Sequence, residues 1–195
     1  IGERLEALKA SAYLEKLAEK GYEVLLMTDV VDEWLMRDLT EYKGKKFQSI
    51  TKEGLDLDTE DEKKAREDEK KSFVERFKPM MEQMKTWLSG EVSDVVISDR
   101  LTKTAVCLVN SQHGMSAHME KIMAQMGDGA NKSKRILEIN PKHPIFDTMM
   151  SAGEDQKKTW TEILYNQALI TEGSPLPDPV KFSNLISDLM VKQKQ

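Results

Sequence analysis

Residues 155–191 read DQKKTWTEILYNQALITEGSPLPDPVKFSNLISDLMV, and they decide the architecture of the chain's end. Trp160, Ile163, Leu164, Ala168 and Leu169 recur at helical spacing over about Asp155 to Thr171. Phe182, Leu185, Ile186, Leu189 and Met190 do the same over Val180 to Val191. The joint, Gly173-Ser174-Pro175-Leu176-Pro177-Asp178-Pro179, is too rich in proline to continue a helix. Two helices cannot cover two apolar faces between them. Each large apolar side chain left in water forgoes about 1.5–3 kcal/mol, so either the rest of the chain or a second copy must cover them. A helical hairpin meeting its two-fold mate as a four-helix bundle is the economical solution.

Upstream, Phe73, Phe77, Met80, Met81, Met84, Trp87 and Leu88 mark a long amphipathic helix that ends at Gly90 and is kinked at Pro79. Short strands follow at Val92 to Ser98, Thr104 to Val109 and Arg135 to Ile139. The last stops at Pro141, before a short helix from His143 to Met150. Gly127 to Ser133 reads as a loop.

Toward the start, Leu5, Leu8, Leu14 and Leu17 have helical spacing, with Ser11 as a cap and Gly21 as a stop. Tyr22 to Thr28 reads as a strand, Asp29 or Asp32 as the cap of a helix through Leu35 and Leu39, Lys43-Gly44 as a turn, and Lys46 to Thr51 as a second strand. This predicts a βαβ unit with parallel strands. Between Lys52 and Lys71 fifteen of twenty residues are charged with interleaved signs, the pattern of a linker leading into a solvated helix laced with ion pairs. The predicted fold is α+β: a small αβα subdomain over 1–55, a charged linker and helix start over 56–71, and over 72–195 a mixed domain with a short sheet and the C-terminal hairpin.

Composition narrows the function. A net charge of -5 lacks the basic excess that drives phosphate binding, which argues against nucleic acid. The apolar runs, such as Val24 to Met27 and Val95 to Ile97, fall far short of the ~20 residues of a membrane span. The single cysteine, Cys107, lies in an apolar run and reads as a buried inert thiol. These features point to a soluble protein of a reducing, cytoplasmic compartment. The chain opens at Ile1 inside helix-like sequence, as a piece of a longer protein would.

No phosphate-binding GxxxxGK, GxGxxG, CxxC, HExxH or GxSxG motif is present. His113, His118 and His143 lack zinc-ligand spacing. The expectation is no enzyme, catalytic residue, metal or cofactor in this chain. A small enzyme using the αβ unit and the histidines is the weaker alternative. Met115, Met119, Ile122, Met123 and Met126 form one helical stripe, within a chain that holds twelve methionines. A packed core stripe is the ordinary reading, and the sequence by itself favours it. Methionine's flexible thioether also suits contact with varied apolar partners.

Several stretches, in order, resemble the C-terminal third of the ninety-kilodalton heat-shock chaperones: Leu14-Glu15-Lys16-Leu17 through Lys20-Gly21-Tyr22-Glu23-Val24-Leu25, Asp32-Glu33-Trp34, Gly44-Lys45-Lys46-Phe47, Lys52-Glu53-Gly54, Arg100-Leu101-Thr102, the Met115 segment, and Leu137-Glu138-Ile139-Asn140-Pro141-Lys142-His143-Pro144. The resemblance covers nearly the whole chain. It implies that residues 1 to about 55 close a middle domain and that those from about 70 form a homodimerisation domain. The interface would be built by Trp160, Ile163, Leu164, Leu169, Phe182, Leu185, Ile186, Leu189 and Met190.

The resemblance also implies that Met115, Met119, Ile122 and Met123 contact unfolded client protein. ATP and magnesium would serve the parent protein through a site upstream of Ile1. Eukaryotic cytosolic members have Trp at the place of Met115 and end in an acidic peptide, whereas this chain ends Lys192-Gln193-Lys194-Gln195. That implies a bacterial-type member, with an organellar one as the alternative. The predicted function is dimerisation and client contact for an ATP-dependent stress chaperone. A purely structural dimer module with the methionine stripe buried is the alternative.

Overall fold

The computed structural model describes residues 1, 2, 4–127 and 133–192. The predicted Gly127–Ser133 loop falls mostly outside the described residues, as do Gln193 to Gln195.

The spine is α4, Glu60–Trp87, which takes in most of the charged run. Its start is a capping box: Thr59 Oγ1 accepts from the Glu62 amide at 3.3 Å, and Glu62 Oε2 accepts from the Thr59 amide at 2.8 Å. Glu60, Asp61 and Glu62 also set negative charge against the positive end of the helix dipole. The charged part is solvated, as expected, with pairs such as Lys71–Glu67 at 2.6 Å. One turn later the helix meets the core with Phe77, Met80, Met81 and Met84, and it runs on through Pro79.

Three strands, β3 (Val92–Ile97), β4 (Val106–Val109) and β5 (Arg135–Ile139), form a sheet in the order β3-β5-β4. β5 pairs parallel with β3 and antiparallel with β4, and all five of its residues are buried. The two-residue period of a strand divides the sheet between two cores. Leu137, Ile139, Leu108, Val106 and Val95 pack with α4, with Phe146 and Met149 of α6 (Pro144–Ser151), and with Leu164, Tyr165, Ala168 and Leu169 of α7 (Glu154–Glu172). Ile136, Cys107 and Val109 face the other way and pack with Leu101, Ala12 and Tyr13.

The opening residues are therefore tied to the sheet. Helix α1 (Leu5–Lys9) leads to a 3-10 turn over Ala12–Leu14, capped by Ser11, and then to α2 (Glu15–Glu19), stopped at Gly21 with φ +70°. Tyr13 donates its hydroxyl hydrogen to the Leu108 carbonyl. The Glu15 carboxylate gathers the amides of Thr102 and Lys103 at 2.7 Å each and of Thr104 at 3.0 Å. Burial opposes its ionisation, but these bonds and that from the Thr104 hydroxyl outweigh it and hold the carboxyl below its ordinary value.

The predicted βαβ unit does not form. Residues 22–28 are in no strand, Tyr22 and Leu25 are exposed, and backbone groups of the segment bond outside any sheet, the Tyr22 amide to the Leu17 carbonyl at 2.9 Å and the Met27 carbonyl to the Gly2 amide at 3.1 Å. The strands here are β1 (Glu41–Tyr42) and β2 (Lys45–Lys46), and they pair antiparallel. The reason lies in the turn. Lys43 at φ 49° and Gly44 at φ 75° form the two-residue left-handed link that closes a hairpin, which a parallel crossover cannot use. Neither Asp29 nor Asp32 caps α3 (Val31–Asp38): its N-cap is Val30, and Asp32 Oδ2 accepts from the Asp29 amide at 2.9 Å.

At the other end the predicted helices stand. Helix α7 closes at Gly173, in the left-handed conformation with φ 82°, and the Ser174 amide returns to the Leu169 carbonyl at 2.9 Å. Helix α8 spans Pro179–Lys192, and Asp178 Oδ1 accepts from the Lys181 amide at 2.9 Å at its start. No helix among the described residues is long and apolar enough to cross a membrane.

Candidate interaction surfaces

The methionine stripe lies on and beside α5 (Ala117–Gln125). Its start is fixed by Ser116, whose Oγ accepts from the Met119 amide at 2.9 Å and donates to Glu33 of α3 at 2.6 Å. The structure divides the stripe. Met115 is 38% exposed and Met126 72%, Met119 and Met123 are half-buried, and Ile122 is only 8% exposed. Ile122 therefore anchors the helix, and the surface available to a partner runs through Met115, Met119, Met123 and Met126. The last of these was legible in the spacing but is absent from the residues that the family resemblance assigned.

The C-terminal helices divide in the same way. Leu164 and Leu169 belong to the chain's own core, Ile163 is 4% exposed, and Trp160 packs half-buried against that core. Of the two ways to cover the apolar face of α7, the rest of the chain or a second copy, the chain itself supplies much of the cover, because α4 and the sheet lie against it. On α8 the cover is partial. Phe182, Leu185, Ile186 and Leu189 are half-buried, while Val180, Met190 and Val191 are 71%, 67% and 71% exposed. Lys181 of α8 is ion-paired with Glu162 of α7.

Several buried charges were not singled out in the sequence. Arg100 and Glu138 form a fork, with Nε 2.9 Å from Oε2 and Nη2 3.0 Å from Oε1. The Arg100 guanidinium also donates to the carbonyls of Ile50 and Lys52. Arg135 is held between Glu120 and Glu172. In a sequence where charged residues are common, nothing distinguishes these few from solvated ones.

His143 caps α6, its Nδ1 accepting from the Ile145 amide at 3.2 Å. Cys107 is a buried free thiol whose Sγ lies 3.8 Å from Glu138 Oε2. Burial and then the Glu138 charge push it well above its ordinary pKa. Among the described residues no group of three His, Cys, Asp or Glu side chains is placed to hold a metal ion.

The Hsp90 protein family profile matches residues 1–195. The chain is 56% identical over 193 residues to "Chaperone protein HtpG" of Bdellovibrio bacteriovorus, covering 98% of this chain and 31% of that protein. It is 42% identical over 190 residues to the protein of that name from Geobacter sulfurreducens (95% and 29%), and 38% over 194 residues to that from Bacillus subtilis (97% and 30%). The chain thus spans about three-tenths of the length of these relatives.

Proposed function

The chain belongs to the Hsp90 family, and from that premise we propose that it joins two protomers of a chaperone and offers apolar surface to unfolded client protein. In this reading it binds without chemistry. Nucleotide and magnesium belong to the part of the longer relatives that the chain does not span, and the compartment is the cytoplasm. Residues 1–55 act as the end of a middle domain, 56–71 as the charged entry to α4, and 72–195 as the dimerisation domain.

One observation carries the reading: α8 presents Val180, Met190 and Val191 to water beside half-buried Phe182, Leu185, Ile186 and Leu189, and it packs on α7. An apolar face of this kind is stable in solution when a second copy covers it, and an isologous pair of hairpins does so by packing α8 on α8. Trp160 borders the interface, and Ile163, Leu164 and Leu169 support it from beneath. Analytical ultracentrifugation of Ile186→Asp and Met190→Asp tests this: dissociation of a dimer supports it, and an unchanged assembly contradicts it.

Client contact is assigned to Met115, Met119, Met123 and Met126 around the anchor Ile122. Four flexible thioether side chains give an adaptable face that can follow varied apolar sequences. The burial of Ile122 favours a second reading, a dimer module in which the stripe is purely structural. Polar substitution of Met115 and Met119 separates the two, since weakened binding of an unfolded polypeptide by a normally folded chain excludes the structural reading.

A further inference from the structure

Arg135 opens β5 and is buried, and its guanidinium lies between carboxylates from two helices. Nη1 and Nη2 donate to Glu120 Oε1 and Oε2 of α5 at 3.0 and 2.8 Å. Nε donates to Oε1 of Glu172, the last residue of α7, at 3.1 Å. Glu120 Oε1 also accepts from the amide and hydroxyl of Ser133 at 3.1 and 2.8 Å. The remaining oxygen of Glu172 accepts from the Ser174 hydroxyl at 2.6 Å, within the segment that joins α7 to α8.

Helix α5 has nine residues, of which only His118 and Ile122 are buried. A helix so short is marginal by itself, and its orientation is set by what holds it. The Arg135 fork is the most constrained of its anchors, because a bidentate guanidinium fixes direction as well as distance. The side chains of Arg135 and Glu172 are 9% and 7% exposed, which shields the link from solvent screening.

We propose that Arg135 is a positioning residue that ties α5 to the α7–α8 junction, so that the junction sets how the methionine face is presented. Its functional consequence rests on the reading of α5 as a client surface; the tie itself does not. Glu172→Gln is the informative variant, since it leaves the Arg135–Glu120 pair charge-balanced and the chain able to fold. The chain carrying Glu172→Gln, Glu120→Gln, or both is examined by hydrogen–deuterium exchange over residues 117–125, with affinity for reduced, carboxymethylated α-lactalbumin measured by fluorescence anisotropy.

Each single variant is expected to speed exchange in α5 roughly tenfold, within the usual range of coupling between sites, while α7 keeps its protection. The double variant is expected to exceed the sum of the single effects, because it alone leaves the buried Arg135 charge with neither carboxylate. Arg135→Lys, which keeps the charge and loses the fork, is expected to fall between wild type and Glu120→Gln. Unchanged α5 exchange in Glu172→Gln, or fully additive effects, overturns the proposal. Faster exchange with weaker affinity supports the tie and the client surface together. Faster exchange with unchanged affinity supports the tie and removes the client role of α5.

Discussion

Arg100 and Glu138 meet as a buried two-pronged ion pair on the side of the sheet that faces the first half of the chain, with side chains 3% and 7% exposed. The same guanidinium holds the carbonyls of Ile50 and Lys52, so one residue satisfies a buried carboxylate and fastens the segment before α4 to β5. Arg100→Met is expected to cost about 3–5 kcal/mol, because it leaves the buried Glu138 charge without its cation, with the Ser98 hydroxyl at 2.7 Å still donating to it. Replacing both as Arg100→Met/Glu138→Leu is expected to cost much less than the single change. Urea denaturation of the three chains measures the difference, and a single variant no worse than the double would contradict it.

A second ionic cluster predicts an acid response. Burial opposes ionisation of Asp58, but hydrogen bonds from Lys16 and Lys20 and the charges of Lys16 and Arg66 outweigh it and hold its pKa at about 2, below the ordinary 3.8. A folded-state pKa that is depressed contributes stability above the unfolded value, and that stability is lost as pH falls toward the folded one. The contribution is therefore complete above about pH 4 and disappears toward pH 2. After allowance for solvent screening it is on the order of 1 kcal/mol. Asp58→Asn is expected to lower the urea midpoint at neutral pH, and its deficit to shrink below pH 4. An equal deficit at pH 7 and pH 2.5 would show that the charge is not responsible.

The division of the methionine stripe separates stability from surface. Ile122→Ala is expected to cost roughly 2–3 kcal/mol through lost burial and a residual cavity. Met115→Ser, at an exposed position, is expected to stay within about 0.5 kcal/mol of wild type. Thermal unfolding followed by circular dichroism distinguishes them, and equal destabilisation would place Met115 in the core.

Cys107 carries a chemical prediction. A thiol is nucleophilic only as the thiolate, and here burial and the Glu138 charge both oppose that form. Iodoacetamide is expected to leave Cys107 unmodified in the folded chain and to alkylate it fully in urea, as read by intact mass. Prompt alkylation without denaturant would mean that the sheet opens at β4.

Much of this arrangement was legible in the sequence where periodicity and punctuation agree. β5 begins and ends at Arg135 and Ile139 as expected, and α7 and α8 match the predicted hairpin to within two residues, because Gly173 and three prolines mark the joint. Residues 22–28 misled because an apolar run fits a strand only when another strand lies beside it, and a local pattern carries no record of its partner. The Lys43-Gly44 turn was recognised, but its two positive φ values, which impose a hairpin, leave no trace in hydropathy. Surface residues divided in the same manner: spacing located the stripes, while burial of Leu164 and Leu169 depends on α4 and the sheet, and that of Ile122 on the fold around α5. Arg135, Glu120 and Glu172, far apart in sequence, look like any other surface charges until the fold brings them together.

Sedimentation velocity over a wide concentration range, on this chain and on the same chain truncated after Glu172, tests the central claim most directly. The account predicts a dimer that persists on dilution and a truncated chain that sediments as a folded monomer. A well-folded monomer of the untruncated chain at high concentration would contradict it.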